Sequence, residues 1–296
     1  MKDSFSQMHP IVNFVFFVFV IGLSMFMMNP VCLAISSLCA LLNAVYLNGK
    51  KAVRLSLLYL LPTIALIAII NPVFNHDGVT ILTYFPWNNP LTLESIIYGI
   101  ATAVLLSSVV LWFSCFNKVM TSDKFIYLFG RIIPSLSLVL SMALRFVPKF
   151  ILQFNIVRNS QKCIGRDISY GTLLQRLKNA VKIVSIMITW ALENAIETAD
   201  SMKSRGHGLK GRTSFSIYRL TKRDVITLIT IILLGTLIVV MSVLKIAKFR
   251  YFPSLKGDIF NAESIIYFIL YSALMLLPLI INVKEGARWK RLRSAI

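Results

Sequence analysis

The chain has 296 residues, 57% of them hydrophobic, with a mean hydropathy of +0.75. Soluble domains run at about 45–50% apolar, so the composition excludes a soluble globular protein and predicts an all-α, polytopic membrane protein with about six transmembrane helices. The formal charge of +19 is concentrated in a few stretches, and the four cysteines (Cys32, Cys39, Cys115, Cys163) have neither CxxC spacing nor a nearby His, which excludes a disulfide framework and a metal centre.

The first apolar run, Ile11–Met28, is as long as a span. It ends in Asn29-Pro30 rather than a small-residue cleavage site, so it reads as a retained first span and not a signal peptide. Span two runs from about Val31 to Leu47 and is followed by a basic loop with Lys50, Lys51 and Arg54. Span three covers about Ala52–Ile70. A loop over Asn71–Leu93, with Pro72, Tyr84, Pro86, Trp87 and Pro90, leads to span four at about Ser95–Phe116. No Lys or Arg occurs between Leu55 and Asn117.

The pattern then changes. Residues 117–224 hold 18 Lys/Arg against 6 Asp/Glu, and their apolar runs are broken by charge. Ile132–Leu144 and Ile183–Leu192 fall short of the roughly 20 residues that a span needs. They fit helices lying on the membrane or packed against a partner. Two further spans follow, about Val225–Leu244 and Ala262–Ile281, and then a basic tail. The expected division is 1–116 with helices one to four, 117–224 as a cytoplasmic block, and 225–296 with the last two helices and the tail. The Lys/Arg asymmetry places both termini in the cytoplasm. Lys245, Lys248, Arg250 and Lys256 violate that rule, because six spans put them outside.

Within the basic block the most informative stretch is Ala195–Gly208. Ile188, Leu192, Ala195, Ala199 and Met202 share a face at helical spacing, while Glu193, Glu197 and Asp200 share another. Gly206 suits a helix C-terminus, which places Arg205 at the tip with no acidic residue at i−3 or i−4. A copy lies 41 positions earlier: Asn159–Gly165 aligns with Asp200–Gly206, with Ser160/Ser201, Lys162/Lys203 and Gly165/Gly206 identical. Two similar tips suggest two similar sockets, although Ser, Lys and Gly are common at helix ends and the match alone is also compatible with chance. Ahead of the first tip, Phe150, Phe154, Val157 and Ile164 share an apolar side. Arg158, Lys162 and Arg166 form a basic stripe, suited to anionic lipid or an acidic partner.

Met142–Pro148 followed by Ser160–Gly165, and Ala191–Ala195 followed by Ala199–Gly208, resemble the transmembrane T component of energy-coupling factor (ECF) transporters. The resemblance implies two coupling helices whose ends insert into two ABC-type ATPase subunits, and a membrane part that holds a small S component for a vitamin or a transition-metal ion. The contact residues it implies are Ala199, Ser201, Ser204, Arg205 and Gly206 at the second tip. At the first they are Ser160, Ile164, Gly165 and Arg166. The first motif departs from the family, with Ile164 where arginine usually precedes the glycine. Arg166 follows that glycine and is expected to project from a less ordered turn.

The residues themselves agree with a transmission part. There is no phosphate-cradling loop and no paired carboxylate in a span, and His9, His76 and His207 read as solvated loop residues. A prokaryotic plasma-membrane scaffold with no cofactor, no metal and no nucleic-acid partner is expected, with ATP hydrolysis left to its partners. The alternative is a membrane-embedded enzyme acting on lipid-linked substrates, for which Glu193, Glu197 and Asp200 are the available acids.

Overall fold

The computed structural model describes residues 3–55, 58, 60–84, 90–130, 133–169, 171–209, 218–257 and 261–293. Pro86, Trp87, Arg131 and Ile132, named above, lie outside the described residues. The chain divides into two compact units, Met1–Phe125 with Tyr218–Ile296, and Ile126–Ile217.

The first unit contains the apolar helices α1 (Pro10–Phe26), α2 (Pro30–Asn48), α4 (Leu61–Phe74), α5 (Leu93–Val119), α9 (Lys222–Val243) and α10 (Ala262–Arg293), with the short α3 (Lys50–Leu55) after α2. An apolar helix stands at each of the six predicted spans, with α4 covering only the second half of the third, and the fold is an all-α polytopic one. Helices α2, α5, α9 and α10 are long and apolar enough to cross a membrane, while α1 and α4 are shorter. Local chemistry starts the helices where the sequence allows. Asn29 caps α2, its Oδ1 accepting from Val31 N at 3.0 Å, with Pro30 at the first helical position where no N–H is needed. Thr221 and Asp224 form a reciprocal capping box at the start of α9.

The core is aromatic and edge-packed. Phe16 meets Phe5, Phe17 and Trp112 with T-shaped geometry at centroid distances of 5.2, 5.3 and 6.2 Å. Polar groups stitch the helices together. The Ser24 and Ser36 hydroxyls bond across α1 and α2 at 2.9 Å, and Trp112 Nε1 of α5 donates to Ser36 at 3.2 Å. In a bilayer such bonds, with close backbone approach, supply helix association that apolar surface alone does not. Gly235 of α9 is the clearest close approach, since a Cβ there would stand 2.6 Å from the Phe19 ring. The buried Cys32, Cys39 and Cys115 act as small core residues, while Cys163 is exposed.

Three local features differ from the sequence expectation. Helix α4 continues through Pro72 to Phe74 instead of ending at Ile70. The proline leaves the Ala68 carbonyl without its helical partner, and Gly99 of α5 accommodates this stretch, its virtual Cβ lying 3.2 Å from Ala68 O and 3.4 Å from Pro72 Cδ. The expected loop also contains a two-stranded hairpin, β1 (Ile81–Tyr84) with β2 (Pro90–Thr92). The buried Glu94 ties it down by accepting from the N–H and the hydroxyl of Thr80.

The third difference concerns His9, which is not a solvated loop residue but is only 3% exposed. Residues 3–9 fold back against the bundle. His9 Nδ1 accepts from Ile11 N at 3.3 Å and so caps α1, and its ring meets Tyr218 edge-on. Phe5 N donates to Asn282 Oδ1 of α10 at 2.9 Å. Lys124, at the start of α6 (Ser122–Gly130), is buried beneath this segment. Its ammonium donates to the Ser6 carbonyl, to the Val119 carbonyl at 2.9 Å, and to the Asn13 amide oxygen at 3.0 Å when that amide also donates to Phe5 O. Burial lowers its pKa from the ordinary lysine value, and Asp3 opposes the shift.

A second hairpin, β3 (Phe249–Arg250) with β4 (Lys256–Gly257), joins α9 to α10 at the opposite end of this unit. Tyr251 donates to Met28 O at 2.7 Å, and Asn29 Nδ2 donates to Ala247 O at 2.8 Å. The residue that caps α2 therefore also holds this connection in place.

Candidate coupling surface

The second unit is built on two long helices, α7 (Pro134–Cys163) and α8 (Leu173–Ser204). The two short apolar runs expected from sequence are not separate elements. Arg145 is compatible with a helix and exposed, so α7 passes through it and through Pro148 without a break. Leu138–Cys163 thereby becomes long and apolar enough to meet the length and composition of a span. α8 likewise runs 32 residues without a break.

The helices are antiparallel. Val157 meets Ile183 and Met187 in a small buried cluster, Phe150 meets Trp190 at 5.3 Å, and Lys149 Nζ donates to Asn194 Oδ1 at 2.7 Å. The connection is ordered by its own polar groups. Asn179 Nδ2 donates to Asp167 O at 3.1 Å, Arg176 Nε to Ile168 O at 2.7 Å, and Thr172 N to Gln175 Oε1 at 3.2 Å. Little of the apolar surface is used within the unit. Val139, Val147, Ile151, Leu152 and Ile156 on α7 are more than half exposed, as are Leu177, Val181, Val184, Ile188, Leu192 and Ile196 on α8. Ala143, Phe146, Phe150, Ala191 and Ala195 line an open apolar groove of about 510 Å³ between the helices.

Both helices end in the same geometry. At the first end, Gly165 N donates to Lys162 O at 3.0 Å and Arg166 N to Gln161 O at 2.9 Å. At the second, Gly206 N donates to Lys203 O at 2.9 Å and His207 N to Met202 O at 3.0 Å. This is the Schellman pairing, in which residue six bonds to one and five to two. Gly165 and Gly206 share φ of +75°, a conformation that glycine takes without the Cβ penalty. The residues before them match as well, Ile164 at φ −92°, ψ 12° and Arg205 at φ −85°, ψ 11°.

The repeated heptapeptide thus folds twice into one shape, with Ile164 and Arg205 in equivalent positions. Because the helices are antiparallel, the two ends lie at opposite ends of α8, about 48 Å apart along its 32 residues at 1.5 Å per residue. Ser160, Ile164, Gly165, Arg166, Ser201, Ser204 and Arg205 are exposed, and Ala199 and Gly206 are half-buried. The Ser160 and Ser204 hydroxyls are turned inward onto the Ile156 and Ser201 carbonyls. Neither Arg205 nor Arg166 has a carboxylate within ion-pair distance among the described residues.

Arg166 corrects one expectation. It does not project from a less ordered turn, because its own N–H closes the Schellman motif and the following Asp167 is buried. In chain position it is the counterpart of His207. What sequence reading missed was the loop lock around Asp167, Arg176 and Asn179. Polar side chains flanking a helix start were the available signal.

Glu193, Glu197 and Asp200 are all exposed. Among the described residues no group of His, Cys, Asp and Glu could hold a metal ion.

Comparison with known proteins agrees with this architecture. Residues 1–217 match the family described as CbiQ, cobalt transport protein. The protein named energy-coupling factor transporter transmembrane protein EcfT of Lactobacillus helveticus is 35% identical over 109 residues, covering 36% of this chain and 39% of that protein. Its namesake in Lactococcus lactis subsp. cremoris is 32% identical over 36% of this chain and 41% of its own length. That of Brevibacillus brevis is 27% identical over 62% and 76%. The chain therefore spans about two fifths of the Lactobacillus and Lactococcus relatives. With its family match over residues 1–217, its bundle of apolar helices and its paired helix ends, the chain belongs to the CbiQ cobalt transport protein family, the family of the transmembrane T components of energy-coupling factor transporters.

Proposed function

We propose that this chain is the membrane scaffold of an ATP-driven ECF-type importer in a prokaryotic plasma membrane, with both termini cytoplasmic. Two ABC-type ATPase subunits would each receive one end of the helical pair, one at Ile164–Arg166 and the other at Arg205–Gly206. A small S component that captures a vitamin or a transition-metal ion would dock in the membrane. The chain itself carries no fuel or substrate chemistry in this reading.

The observation that supports it best is the repeat in shape. Two exposed helix ends with the same backbone geometry stand at opposite ends of one long helix, as two-fold engagement by paired ATPases requires. The apolar faces of α7 and α8, left uncovered within their own unit, suit a further partner or the bilayer surface. The test is to purify the tagged full chain from its native membrane in mild detergent and identify what remains bound. Retention of an ATPase pair and a small membrane protein, with nucleotide hydrolysis only when the ATPases are present, is the expected result. Stoichiometric ATP binding by the isolated chain would overturn the scaffold reading.

A further inference from the structure

The hairpin between α9 and α10 carries charge at the level of a membrane surface. α9 has 22 residues, about 33 Å at 1.5 Å each, close to the roughly 30 Å hydrocarbon core. Lys222 and Arg223 open it, and Lys245 follows its last turn. The hairpin therefore starts at the headgroup plane. Its base is aromatic, as befits that plane: Tyr251 meets Tyr98 at 5.5 Å and Phe249 at 4.9 Å, and Phe252 meets Tyr98 at 5.1 Å. The Tyr251–Met28 and Asn29–Ala247 bonds fix that base to the turn between α1 and α2.

From this base the chain projects Lys245, Lys248, Arg250 and Lys256, all exposed. None has a carboxylate within ion-pair distance among the described residues. Arg250 and Lys256 are directly opposed in register, and like charges so placed repel. Lys245 holds φ of +62°, where glycine would be the unstrained choice. So the segment keeps cations at positions disfavoured by cross-strand repulsion and backbone strain, on a base that cannot easily let them spread apart.

We propose that the β3–β4 hairpin binds the phosphates of anionic phospholipid headgroups in the leaflet at this end of the bundle. The adjoining bilayer supplies negative charge that these cations do not meet among the described residues, and the aromatic base sets the depth at which the cations meet it. Lipid phosphate suits this surface better than a free anion, because the cations are spread along an open edge and do not converge on a pocket.

The test uses the purified full chain and native mass spectrometry with phosphatidylglycerol or phosphatidylcholine. An exposed cation near an anionic surface contributes about fivefold in affinity. Arg250→Gln/Lys256→Gln should therefore lower phosphatidylglycerol occupancy tenfold or more and leave phosphatidylcholine adducts unchanged. Its melting temperature should hold or rise, since a repulsive pair is gone. Lys256→Gln alone should lower occupancy about fivefold, which keeps the test decisive if the double variant folds poorly. Lys284→Gln/Arg288→Gln/Arg291→Gln, at the other end of α10, should keep the hairpin's share of binding. Unchanged phosphatidylglycerol binding in the hairpin variants overturns the proposal. So does displacement of the lipid by millimolar inorganic phosphate, which would indicate a free-anion site. Loss of a co-purifying chain with lipid binding intact would assign the face to a protein and overturn it equally. Each outcome is independent of whether the coupling-surface reading holds.

Discussion

Arg205 should carry more of the proposed coupling than any residue at the first helix end. Its position explains the expectation. It occupies the last place before Gly206, with a guanidinium exposed and without an ion pair among the described residues, and the carbonyl end of α8 favours a cation there. A socket carboxylate can take it as a planar two-bond contact. Removing one partner of such a pair costs about 2–5 kcal/mol of association, or roughly thirtyfold to several thousandfold in affinity. Ile164 has the same backbone placement but can offer only apolar burial. Full burial of an isoleucine is worth about 1.5–3 kcal/mol. Since Ile164 is already 35% covered and 65% exposed, about 1–2 kcal/mol remains to be gained in a socket. Arg205→Ala, Ile164→Ala and Arg166→Ala should each leave membrane abundance unchanged, because exposed substitutions move stability by about 0.5 kcal/mol or less. Retention of ATPase subunits on the tagged chain, and transport by whole cells, should fall most for Arg205→Ala. If Arg205→Ala keeps its ATPases and transports normally while Arg166→Ala does not, the anchored Arg166 carries the contact and the reasoning from position is refuted. If all three behave as wild type, the helix ends are not docking points.

Two further expectations concern the segment that folds back at residues 3–9. Lys124→Met should lower the melting temperature in detergent, with a loss of about 2–3 kcal/mol, because the Val119 and Ser6 carbonyls lose their buried donor; an unchanged melt would mean that the cation is dispensable. His9 should make stability depend on pH. Burial lowers its pKa below the ordinary 6.5, and the Asp224 carboxylate pulls the other way. The unfolded chain then takes up a proton more readily than the folded one, so stability is full above pH 6.5, falls as pH drops through that value, and stops falling below the folded pKa. His9→Asn, which keeps a capping acceptor beside Tyr218 and Asp224, should flatten this slope in a thermal-melt series; an unchanged slope would assign it to another group.

Much of the architecture is a one-dimensional property and was readable as such. Spans are long apolar runs, helix starts at Asn29-Pro30 and Thr221 are capping chemistry, and the stops at Gly165 and Gly206 are set by a residue that accepts positive φ. The caps and stops depend on neighbours within about five positions and each span on one contiguous run, so residue order determined them. Tertiary structure decided what depends on distant partners. His9 was read as solvated because nothing local shows that residues 3–9 will pack against Lys124, Asn282 and Tyr218. Helix α4 survives Pro72 because Gly99 makes room, at a place fixed by how α4 and α5 meet. The heptapeptide repeat was visible in the sequence. That its two copies would point from opposite ends of one helix became determined only when α7 and α8 packed antiparallel through Val157, Ile183 and Met187. Side-chain burial between segments far apart in the chain set that direction, and no pattern within either helix encodes it.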